Sequence, residues 1–135
     1  MKSNKNNTLS YLNNKKTNEL DKLLSIMSHL RDPDKGCPWD IKQTFKSIAP
    51  YTIEEAYEVN QSIQDEDYDE LKDELGDLLL QVVFLSQIAK EKELFKFNDV
   101  LKSINKKLVR RHPHIFDKNT NIKTPDDVKH QWDKI

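Results

Sequence analysis

Leu20, Leu23, Leu24, Met27 and Leu30 recur at three- and four-residue intervals, a spacing that predicts an amphipathic helix over about residues 17–31. The periodicity breaks in RDPDKGCPWD (31–40), where two prolines and a glycine require a loop. Asp40 is placed to cap a short helical turn through Phe45. Thr52, followed three residues later by Glu55, has capping-box spacing and predicts a helix from about Ile53 to Gln64. A short Asp65–Glu66–Asp67 connection follows, and Asp67 with Glu70 repeats the spacing. Leu71, Leu75, Leu78, Leu79, Val82, Val83, Leu85 and Ile88 then give a long helix with a broad apolar face, ending near Lys92. Asn98 is read as the cap of a fourth helix, striped by Val100, Leu101, Ile104 and Leu108 and stopping before Pro113. Thr124 and Pro125 open a last short helix. No segment alternates as a strand does, so the expected fold is all-α, built on an antiparallel helical hairpin.

Composition sharpens this picture. The chain has 135 residues, enough for one domain with a core, and only two glycines against abundant Lys, Glu and Leu. Its net charge of -1 gives no global drive toward nucleic acid or an anionic membrane. The longest apolar stretch, Leu78 to Ile88, is interrupted by Gln81, Ser86 and Gln87 and is too short to span a bilayer. The first 16 residues are Asn/Lys-rich, without the apolar segment of a signal peptide. They read as a polar, poorly ordered tail ahead of a domain at 17–135, and the expected location is the cytoplasm. A single cysteine, Cys37, fits a reducing compartment.

Candidate chemistry lies on the two helices of the hairpin. Glu55 and Glu58 share one face, about 4.5 Å apart along the axis, and Glu74 and Asp77 repeat that spacing on the next helix. The turn centres near residue 66, so Glu58 and Glu74 are equally far from it, as are Glu55 and Asp77. In an antiparallel hairpin equal offsets meet side by side. Four converging carboxylates repel and raise one another's pKa. A hard divalent cation relieves that repulsion, Mg²⁺ by preference with Mn²⁺ as a substitute. Taken singly, Glu55 and Glu70 are ordinary capping residues, and Glu54 and Asp73 ordinary solvated charges; two matched pairs straddling a turn favour an ion site. Gly76, between Glu74 and Asp77, costs a helix about 1 kcal/mol relative to alanine and is read as admitting close approach of a helix or ligand.

A basic segment, NKKLVRRHPH, sets Lys107 and Arg111 four residues apart on one helical face. Such a pair suits phosphate oxygens, the arginine through its planar donor fork; the plainer alternative is a complement to the helix dipole. His112 and His114 lack the further ligands of a zinc site and are read as ordering the helix end. His29 and His130 are expected at the surface, and Cys37 as a packed thiol. Trp39 is read as a loop anchor in preference to a base-stacking platform. No glycine-rich phosphate loop is present.

EEAYE followed by ELGD resembles the EExxE…ExxD pattern of the MazG-like, all-α nucleoside triphosphate pyrophosphohydrolases. LRDPDKGCPWD, QTFKSIAPYTIEEAYEV, DELGDLLLQVVF, FNDV and KKLVRRHPHIF resemble MazG proper, in order, over nearly the whole chain beyond the tail. The resemblance implies hydrolysis of a nucleoside triphosphate to monophosphate and pyrophosphate, with broad base specificity and with Mg²⁺ held by Glu55, Glu58, Glu74 and Asp77. Glu54 then holds a second ion or orients the attacking water. Lys107 and Arg111 match substrate-contacting cations, with Arg110 as a further candidate and Trp132 near the base. The resemblance also implies a homodimer that completes a helical bundle. Long members carry two such domains; this chain has one, resembling the first, which motivates a rival reading as a non-catalytic, nucleotide- or partner-binding helical dimer. A di-iron carboxylate bundle is the other rival, although such bundles use Glu-x-x-His pairs that are missing here.

Overall fold

The computed structural model describes residues 12–117 and 123–134. Most of the expected polar tail, residues 1–11, lies outside that range; of the remainder, Leu12 and Asn13 are helical. All regular structure among the described residues is helical. The helices considered are α1 (Glu19–Leu30), α2 (Pro38–Lys42), α3 (Phe45–Gln64), α4 (Tyr68–Glu91), α5 (Phe97–Arg111), α6 (Pro113–Phe116) and α7 (Pro125–Lys134). They fall into two compact units divided after Leu94.

In the first unit, α3 and α4 form the expected antiparallel hairpin, and α1 packs on α4. The boundary of α3 corrects the sequence expectation. The helix begins at Phe45, eight residues before Ile53, because Thr44 and Ser47 supply the operative capping box: Thr44 Oγ1 accepts from Ser47 N–H and Ser47 Oγ from Thr44 N–H. Pro50 is therefore inside the helix. Thr52 is mid-helix, its hydroxyl reaching back to the Ile48 carbonyl at 3.5 Å. Asp67 caps α4 as expected, accepting from Glu70 N–H at 3.1 Å.

The hairpin turn is tight because Glu66 adopts a left-handed conformation (φ 53°). Glu66 N–H then reaches Ile63 O and Asp67 N–H reaches Ser62 O, a Schellman closure that hands the chain directly to the cap of α4. Glu93 (φ 58°) closes α4 the same way, with Leu94 N–H on Ala89 O.

The core lies at the end of the hairpin away from this turn. It comprises Met27 of α1, Ile48 of α3, and Val83, Phe84, Ile88 and Ala89 of α4. Toward the turn the apolar side chains open out: Ile53, Tyr57, Tyr68, Leu75 and Leu79 are all exposed. The broad stripe of α4 is thus only partly used within one chain.

The loop 31–44 is held from below by one side chain. Arg31 Nη1 donates to the carbonyls of Asp40 (2.6 Å) and Gln43 (2.9 Å), while Nε and Nη2 bind both carboxylate oxygens of Glu91 (2.9 and 2.6 Å). Asp32 Oδ1 accepts from Asp34 and Lys35 N–H, which holds its carboxyl below the usual range. Gly36 is required there, since a Cβ would run into the Leu30 and Asp32 backbone. The expected turn from Asp40 to Phe45 is instead α2, opened by Pro38 after Cys37.

In the second unit, α5 begins at Phe97 with Lys96 at the cap position, two residues before the helix that Asn98 was expected to cap. Asp99, reaching back to Lys96 N–H at 2.9 Å, replaces the expected cap. Thr124 caps α7 as expected, accepting from Asp127 N–H.

Candidate active site

Glu55 on α3 and Glu74 and Asp77 on α4 each bring a carboxylate oxygen to within 4.8 Å of the other two. Two features of the chain cause this. The tight Schellman turn fixes the register of the hairpin, and the three-residue spacing of Glu74 and Asp77 puts both on one side of α4. Glu58 is outside that group, though near enough for its charge to act on Glu55 and Glu74. The expected four-carboxylate convergence is therefore a convergence of three, with Glu58 beside it. Glu54 is exposed, next to Glu55 but turned about 100° around the helix.

The electrostatics are those of crowded anions. Glu55 is raised by burial first, then by the negative charge of Asp77. Its Oε2 is buried without a hydrogen-bond partner. Glu74 is pushed up to about 7, first by a hydrogen bond with Glu70, then by desolvation and by the charges of Glu70, Asp77 and Glu58. A proton on Glu74 thus occupies the place of a counter-charge. Glu70 was read as a capping residue; its position one turn before Glu74 is the signal that could have placed it beside the cluster.

Because Glu74 binds its proton more tightly folded than unfolded, its contribution to stability is complete below about pH 4.5 and is lost as pH rises to about 7. The metal-free protein should lose melting temperature across that window. The loss should be smaller in Glu74→Gln, as thermal melts at closely spaced pH values would measure.

An all-oxygen set with an orphaned buried oxygen fits a hard divalent cation, and contains none of the sulfur or imidazole that softer metals favour. Among the described residues nothing lies within 4 Å of where a Gly76 Cβ would be, so that side of α4 is open and the expected close approach is not made by any of them.

Lys107, Arg110 and Arg111 lie on α5 in the second unit. Lys107 lines a groove of about 440 Å³ with Phe95, Asp99, Val100, Ser103 and Ile104. Arg111 stacks on Trp132 of α7 at 4.4 Å, leaving its Nε buried and unpartnered. Trp132 also receives the edge of His112, whose Nδ1 donates to the Leu108 carbonyl at 2.7 Å. His112 therefore orders the helix end, as read from sequence, whereas His114 Nδ1 is buried without a hydrogen-bond partner. Arg110 is exposed.

The chain is similar to known proteins. The profile of the MazG nucleotide pyrophosphohydrolase domain matches residues 43–116, which include every acidic residue of the cluster and the basic end of α5. A nucleoside triphosphate pyrophosphohydrolase of Escherichia coli is 52% identical over 118 residues, which are 87% of this chain and 44% of that protein. A Thermotoga maritima protein named nucleoside triphosphate pyrophosphohydrolase/pyrophosphatase MazG is 49% identical over 113 residues, 82% of this chain and 44% of its own. The chain thus spans less than half the length of these relatives. In fold it is similar to the crystal structure of a MazG-related protein from Thermotoga maritima, with a TM-score of 0.67 at 21% identity, covering 84% of this chain and 96% of that one. With a family profile matched over more than half its length, across the helices that build the acidic cluster, the chain belongs to the MazG family.

Proposed function

We propose that the chain hydrolyses nucleoside triphosphates to monophosphate and pyrophosphate, dependent on Mg²⁺ or, as a substitute, Mn²⁺. The observation that carries this reading is the Glu55–Glu74–Asp77 cluster with its unpartnered Glu55 oxygen. Glu55, Glu74 and Asp77 would hold the ion, with Glu58 joining them by a change of rotamer. When bound, the ion neutralises phosphate charge and acidifies a coordinated water. Glu54, exposed beside the cluster, orients the attacking water and takes its proton. The water oxygen bonds to the α-phosphorus, the bond to the α–β bridging oxygen breaks, and that oxygen leaves with pyrophosphate. Lys107 and Arg111 on α5, with Arg110 in support, suit phosphate oxygens by their charge and, for arginine, by its planar donor fork.

A second copy of the chain would cover the open apolar face of the hairpin. Leu75 and Leu79, a turn apart on α4, and Tyr57 on α3 are each at least 41% exposed, and their burial favours association by about 25 cal/mol per Å². Leu79→Asp should shift the protein from dimer to monomer with its helix content kept. Sedimentation velocity and circular dichroism would check this.

The direct test is pyrophosphate release from each of the eight common ribo- and deoxyribonucleoside triphosphates, with and without Mg²⁺. Metal-dependent release across several bases is the expected result. Absence of turnover from folded protein, with nucleotide binding retained, would replace this reading with that of a non-catalytic nucleotide-binding dimer.

A further inference from the structure

We infer that Trp39 and Tyr51 form the surface against which the nucleobase stacks; this rests on the nucleotide reading above. Tyr51 precedes Glu55 by four residues on α3, so both share one face, about 6 Å apart along the axis. The Trp39 ring lies 5.8 Å from Tyr51 at 75° and 6.4 Å from Phe84 at 86°. Phe84 is buried and acts as a floor, whereas Trp39 is 50% and Tyr51 41% exposed. The anchoring expected of Trp39 therefore uses only part of the indole. The remainder is apolar surface held open to solvent on a loop that Arg31 fixes through the Asp40 and Gln43 carbonyls.

The position suits a nucleotide. With phosphate held at the carboxylates, the sugar separates it from the base by a distance of the order of one helical turn, about 5.4 Å. Gln81 lies in that interval. It is one turn beyond Asp77 on α4 and, the helices being antiparallel, on the same side of the cluster as Tyr51. Gln81 is 7% exposed, and its amide oxygen has no hydrogen-bond partner. A sugar hydroxyl supplies the donor it lacks. Stacking on the Trp39 face, with Tyr51 nearly perpendicular beside it, reads the area of a base and not its hydrogen-bonding edge, so all bases are accepted, with purines binding more tightly than pyrimidines.

The test compares ATP with ribose 5′-triphosphate, which has no base, using the wild type, Trp39→Ala and Trp39→Phe. Trp39→Ala should raise KM for ATP about 10-fold with kcat within about 2-fold, and leave KM for ribose 5′-triphosphate unchanged. Trp39→Phe should recover most of the loss. An unchanged KM for ATP, or an equal rise for both substrates, would overturn the inference.

A binding measurement decides the matter independently of turnover. In Trp132→Phe protein Trp39 is the sole tryptophan, and excitation beyond the tyrosine absorption band reports it alone. With Mg²⁺ present, a non-hydrolysable ATP analogue should quench that emission and tripolyphosphate should not. Quenching by both or by neither overturns the base contact. A wild type that turns over no nucleotide but quenches as expected would overturn the hydrolytic reading alone.

Discussion

Asp77→Asn should lower pyrophosphate release about 1,000-fold while leaving the helical hairpin intact. Asp77 provides the exposed oxygen of the cluster, and an amide keeps its shape while removing the charge that makes it an ion ligand. A metal ion contributes several kcal/mol of transition-state charge stabilisation, and each 1.36 kcal/mol is tenfold in rate, so a loss of about three orders of magnitude follows. Stability should move the other way. Asp77 raises both Glu55 and Glu74, so removing its charge relieves repulsion in the metal-free protein. Its melting temperature at pH 8 should rise relative to wild type, and the further increment on adding Mg²⁺ should shrink. Turnover near wild type, or a lower metal-free melting temperature, would show that Asp77 does something else.

Arg31→Ala should destabilise the first unit by about 3 kcal/mol, the combined cost of a partly shielded ion pair and of two carbonyl hydrogen bonds. The side chain of Arg31 is 8% exposed, so its contacts are shielded from water, although the 36% exposure of Glu91 reduces the worth of the pair itself. Beyond the pair, the substitution strips donors from the Asp40 and Gln43 carbonyls and a cation from the face of Phe84, 5.6 Å away. Glu91→Gln, which keeps a hydrogen-bond acceptor, should cost no more than about 1 kcal/mol. Urea unfolding would measure both. Since Arg31 pins the loop that carries Trp39, Arg31→Ala should also raise KM for nucleotides. Equal midpoints for wild type and Arg31→Ala would show that the loop is held by other contacts.

The two variants probe different parts of the folding information. Asp77 was legible because helical spacing is a local property. Three-residue intervals at 55/58 and 74/77, with a short acidic turn between them, predict which carboxylates share a face and where an antiparallel partner puts its own. The distances between individual side-chain oxygens are finer than that spacing, and they left Glu58 outside the group while bringing Glu70 against Glu74. The start of α3 was misread because two capping-box spacings compete in one segment. Thr52–Glu55 matches the motif more closely than Thr44–Ser47, yet burial of Ile48 rewards a helix that starts early enough to include it and that tolerates Pro50.

By itself, the sequence determined the helical class, the hairpin, the caps at Asp67 and Thr124, and the family, because each is written in spacings of three or four residues or in short ordered motifs. Tertiary structure alone decided the ion pair between Arg31 and Glu91, sixty residues apart, and the seating of Trp39 on Tyr51 and Phe84. It also decided which part of the α4 stripe is core and which part stays open. Those outcomes depend on which surfaces meet once the chain has turned back on itself, and no periodicity along a single helix carries that information.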